Sequence, residues 1–142
     1  MTAPEITAPR DRWLRAIGYG LLAEIATIFT IVAVVLLYRY VFARSASEEA
    51  FNAFAGQAGA LLGVIGGTLY VYLFAHLLMR RLVSRFVAHG VVVGIAAIAL
   101  SVSGSLIGHQ GLQQLYWLAS LLKLIAGASA GWVASRRAHL TT

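Results

Sequence analysis

Residues 16–38 read AIGYGLLAEIATIFTIVAVVLLY, an apolar run of 23 residues interrupted by one charged side chain, Glu24. A helix that crosses a bilayer needs about 20 mostly apolar residues. The apolar core of a secretory signal is shorter, about 7–15 residues. Arg10, Arg12 and Arg15 precede the run as they would in a signal peptide, but its length and Glu24 identify an uncleaved first span.

Three similar runs follow it. The pattern predicts spans over residues 13–42, 54–79, 86–108 and 112–134. Residues 1–12 and 135–142 are expected as N- and C-terminal cytoplasmic tails around one transmembrane domain, 13–134. Ser45 and Glu48 have the spacing of a capping box, which predicts that the second helix starts there. Residues 80–85 form a tight basic turn, and 109–111 a very short connection. The runs lack the apolar/polar alternation of barrel strands, about ten residues long each. The expected fold is therefore all-α, an integral membrane four-helix transmembrane bundle.

Composition agrees. Apolar residues make up 60% of the 142, charged residues only 11%, and mean hydropathy is +0.81. Soluble domains hold about 45–50% apolar and about 25% charged residues. The net charge of +6 is explained by flanking arginines rather than by nucleic-acid binding, for which the chain has no module. Arg10, Arg12, Arg15, Arg80, Arg81, Arg85, Arg136 and Arg137 fall on one side of the spans, and only Arg39 and Arg44 on the other. Basic residues favour the cytoplasmic face, so the expected topology is N-in and C-in. The expected location is multi-pass in an inner (plasma) membrane, with the lipid bilayer and a homo-oligomer or larger membrane complex as partners. Cysteine is absent, which excludes disulfides and thiolate chemistry.

Two charges lie deep within spans. Glu24 is nine residues past Arg15, roughly 14 Å inward at the helical rise. Lys123, the single lysine, is thirteen residues before Arg136, roughly 20 Å inward by the same rise. Each charge there costs about 2.5–3.5 kcal/mol on insertion scales, so a partner is expected. At about 100° per residue, Lys123 shares a stripe with Ala119, Ser120, Gly127 and Ala130, while Leu121, Leu122 and Ile125 lie elsewhere. Small residues mark helix contacts in membranes, which turns Lys123 inward. On the first helix, Gly20 and Thr27 flank Glu24. The pair reads either as an ion pair that fixes the register of helices one and four, or as a proton- or substrate-binding site.

The segment Leu22-Ala23-Glu24-Ile25 resembles the first helix of small multidrug-resistance transporters. That resemblance implies a carboxylate at Glu24 that binds cation and proton. It covers only these residues, and the buried Lys123 and one-sided topology depart from that family.

Small residues recur at helical spacing. Gly59, Gly63 and Gly67 lie on helix two, Gly90 and Gly94 on helix three, and Gly127 and Gly131 on helix four. These positions are expected to carry close helix packing. His76 and His89 lie equally far from the centre of the 80–85 turn, which makes them weak candidates for a haem or metal site on neighbouring helices. No cofactor is expected. No catalytic triad is available, since Asp11 is the only aspartate, and there is no Walker loop or HExxH motif. The sequence thus points away from an enzyme. It points first to a non-enzymatic accessory or assembly protein, and alternatively to a small oligomeric transporter or channel for protons, ions or small cations using Glu24.

Overall fold

The computed structural model describes residues 9–44, 47–82, 84–107 and 114–140. Among them are four α-helices and no strand: α1 (Pro9–Leu37), α2 (Glu48–Met79), α3 (Phe86–Ile107) and α4 (Gln114–Leu140). A π-helical turn, Tyr38–Phe42, extends α1.

Several boundaries differ from the sequence reading. Residues 9–12, expected in a tail, are helical. Pro9 suits the first position of a helix, where its missing N–H has no helical acceptor to lose. Residues 135–140, also expected in a tail, belong to α4. Arg136 and Arg137 there complement the negative end of the helix dipole. The cap of α2 is Ser47, whose side chain accepts from the Ala50 N–H at 3.3 Å. Ser45, expected to cap it, lies outside the described residues, as does the 109–111 connection. Ahead of α3, Arg85 adopts φ 55°, the left-handed region that ordinarily favours glycine.

The α1–α2 corner is held by side chains. Tyr38 stacks on Phe54 with ring centroids 3.7 Å apart. Arg39 pairs with Glu48 at 2.6 Å and covers the Phe51 ring.

The helices form a ring in the order α1–α2–α4–α3. Two antiparallel hairpins, α1–α2 and α3–α4, therefore lie side by side. Within the first, Thr30 and Tyr70 share a hydrogen bond of 2.9 Å. Between the two, α1 runs parallel to α3, since Trp13 stacks on His89 and, further along both helices, Glu24 meets Ser101. Helices α2 and α3, consecutive in sequence, touch only lightly across the diagonal.

Packing differs between the two halves of the bundle. Fully buried apolar residues include Ala16 and Ala23 on α1, Val71 and Ala75 on α2, Val93 and Ala97 on α3, and Ala130 on α4. All lie in the half that holds the Arg12, Arg80 and Arg137 ends, called here the basic end. Backbones approach closely there. A Cβ on either Gly90 or Gly127 would run into the carbonyl of the other, and one on Gly131 would sit 2.6 Å from the Phe86 carbonyl oxygen. Gly94 faces the Lys123 carbonyl oxygen at 3.0 Å in the same sense. Gly59 and Gly63, expected at a helix contact, are not at one. No atom of another helix among the described residues lies within 4 Å of their missing Cβ positions. Their stripe faces inward, but no helix closes on it in this half of the bundle.

All four helices are long and apolar enough to cross a membrane. Large apolar side chains such as Phe29, Leu61, Ile65 and Ile125 are exposed on the outer faces. An apolar exterior around a partly polar interior is the arrangement of a multi-pass membrane protein.

Candidate functional site: a cavity floored by a buried ion pair

Glu24 and Lys123 meet. They are 6% and 3% exposed, and Lys123 Nζ lies 2.6 Å from Glu24 Oε2. Ser101 closes a triangle. Its hydroxyl accepts from Lys123 Nζ at 2.6 Å and donates to Glu24 Oε1. A buried ion pair repays its desolvation only when further hydrogen bonds satisfy its remaining atoms. Ser101 supplies one to each member.

Every helix contributes at this level. Glu24 comes from α1, Ser101 from α3 and Lys123 from α4, while α2 contributes an absence of side chain at Gly67. A Cβ there would lie 2.8 Å from Lys123 Cε, so glycine makes room for the lysine stem. Thr27 sits beside it, its hydroxyl bonded back to the Ala23 carbonyl at 2.9 Å. Because α1 and α4 are opposite in the ring, the pair spans the interior rather than a helix–helix seam.

The triangle is the floor of a cavity of about 770 Å³. Asn52, Gly56, Gly59 and Gly63 of α2 line one wall, and Tyr116 and Ser120 of α4 another. Ile28, Ile31, Val64, Leu100 and Leu115 make the apolar remainder. Mostly apolar walls with a few polar groups, at about 300–1,000 Å³, are typical of a site that holds a small molecule. Beyond the floor, toward the basic end, Ala23, Val71, Val93 and Ala126 are buried. The cavity is thus blind, and reaches the pair from the end where α2 and α4 begin.

The two histidines are not brought together. His89 is buried, stacks on Trp13 at 4.2 Å, and places Nδ1 2.9 Å from the Arg85 carbonyl oxygen. His76 lies near Tyr72 and lines a separate cavity of about 180 Å³ with Arg80 and Arg137. The expectation of neighbouring helices fails because α2 and α3 are diagonal. Among the described residues, no group of three or more metal-ligating side chains converges.

Ser101 is a site residue that the sequence reading does not single out. Its signal was a hydroxyl at the depth of two charges. The open half of the bundle was missed as well. Comparison with protein-family models, curated proteins and solved structures finds no match for this chain.

Proposed function

We propose that the chain is a small membrane transporter that admits a polar solute into the cavity and binds it at the Glu24–Lys123–Ser101 floor. The observation that carries this reading is the cavity itself: a mostly apolar space, blind at one end, whose floor is the only deeply placed opposite-charge pair among the described residues. Packing alone does not call for such a space, since burying a charge pair beside it forgoes close contact on one side. The floor carries one charge of each sign. A lone ion arriving there leaves net charge in a low-dielectric interior, which costs several kcal/mol. A neutral or zwitterionic solute does not, and is the substrate class this reading favours. The basic end is assigned to the cytoplasm of an inner membrane, by the preference of arginine for that side. The cavity then opens outward. An accessory protein would account for the glycine contacts of the basic half but gives the cavity no use.

The absence of cysteine offers a clean test. Gly63→Cys and Ala126→Cys each introduce the sole thiol. A membrane-impermeant thiol reagent added outside intact cells is expected to label the first and spare the second. In proteoliposomes, uptake of at least one member of a panel of amino acids, betaines and polyols should be lost on Glu24→Gln and on labelling at position 63. An unlabelled position 63, with no uptake of any panel member, would return the protein to the accessory class.

A further inference from the structure

A second site lies at the opposite end of the molecule. The cavity of about 180 Å³ between α2 and α4 is lined by His76, Arg80 and Arg137, with Met79, Leu82 and Phe86 as its apolar part. His76 Nδ1 is buried and has no hydrogen-bond partner among the described residues. A buried nitrogen without a partner is costly, and its ring borders this space. Two guanidinium-bearing side chains border the same space.

We infer that this cavity binds the phosphate of an anionic phospholipid headgroup, with Arg80 and Arg137 on its oxygens and the His76 ring as a third contact. Guanidinium is suited to phosphate because its N–H groups form a planar fork that matches two oxygens at once. Basic cavities between membrane helices are a recurrent setting for anionic headgroups. The surroundings select a lipid over free phosphate. Leu77 and Val87, next in sequence to the lining residues His76 and Phe86, are exposed and offer apolar surface for acyl chains. Arg136 lies over the Trp132 ring at 4.0 Å, a pairing suited to the headgroup level, where tryptophan is enriched. Helix ends bear on the site in both senses. The end of α2 at Met79 opposes an anion, while the start of α3 at Phe86 favours one.

The test is native mass spectrometry of the full chain in detergent, titrated with phosphatidylglycerol, phosphatidylcholine or inorganic phosphate. Phosphatidylglycerol is expected to bind at least tenfold more tightly than phosphatidylcholine, and inorganic phosphate not to compete at equal concentration. Arg137→Gln removes one charge from an exposed side chain near the end of α4. It should weaken phosphatidylglycerol about fivefold or more, the worth of one base near an anionic surface. His76→Phe keeps the ring beside Tyr72 and removes the nitrogens, and should weaken it in the same direction. Arg12→Gln removes equal charge from the basic end outside the cavity and should change binding less than twofold. Equal losses from Arg12→Gln and Arg137→Gln would reduce the effect to diffuse charge and overturn the site. Competition by inorganic phosphate at equal concentration would overturn the lipid assignment.

Discussion

Replacing Lys123 by methionine tests the ion pair with little change of shape. Methionine is unbranched and nearly as long, so it still fills the space that Gly67 leaves. Glu24 then keeps only the Ser101 hydroxyl. Removing one member of a buried pair costs about 3–5 kcal/mol, because the remaining charge is uncompensated. That is a large share of the about 5–15 kcal/mol that holds a typical domain together. Glu24→Gln should cost less than Lys123→Met, since the amide still offers an oxygen to the ammonium. The double variant replaces both charges by neutral groups of similar volume and should cost about 1 kcal/mol or less. The single losses therefore fail to add: Lys123→Met less the double variant already leaves about 2–4 kcal/mol of coupling, and the Glu24→Gln loss adds to it. Interhelical hydrogen bonds in membranes couple by only about 0.6 kcal/mol on average and about 1.7 at most. A coupling above that ceiling separates an ion pair from an ordinary polar contact. Reversible unfolding in mixed micelles, followed by helicity as denaturing detergent is added, measures all four proteins. The reasoning is refuted if the single losses sum to that of the double variant, or if Lys123→Met lies within about 1 kcal/mol of the parent chain.

The same assay checks three more substitutions. Gly127→Ala should destabilise by about 1–3 kcal/mol through its clash with Gly90, whereas Gly63→Ala, pointing into open space, should stabilise by up to about 1 kcal/mol through helix propensity. Ser101→Ala should cost about 1–3 kcal/mol, less than Lys123→Met, because the two charges keep each other. Arg85→Gly should raise stability by about 1 kcal/mol by relieving a left-handed backbone position; a loss there would mean that the arginine side chain outweighs the strain.

The spans and the meeting of Glu24 with Lys123 were readable because both depend on depth, and depth is counted along a helix at a fixed rise. The order of the helices around the ring was not readable. Short connections suggest that consecutive helices are neighbours, yet the 80–85 turn crosses the diagonal. Six extended residues reach about 20 Å, while the diagonal of a bundle with helices 8–10 Å apart is only about 11–14 Å. Chain length therefore permits either order, and burial chooses. The diagonal order lets Glu24 and Lys123 face each other across the interior and puts His76 and His89 in separate interfaces. Ser101 escaped for a related reason: its partner on α1 depends on which helix lies beside α3. Glycine periodicity likewise reported which face of α2 turns inward, and not whether a neighbour fills it. Gly67 meets a lysine stem, while Gly59 and Gly63 meet a cavity.

The two members of the ion pair are 99 residues apart in sequence. At synthesis rates of about 5–20 residues per second, about 5–20 s pass between the emergence of the acid and that of its base. Once α2 has followed, the first hairpin carries a carboxyl group that nothing in α2 satisfies. Gly67, the residue of α2 at that depth, has no side chain to offer it. The first hairpin is thus an unfinished product, and the arrival of α4 is the event that completes it. A nascent chain that stalls before residue 114 therefore carries an intramembrane acid without its base.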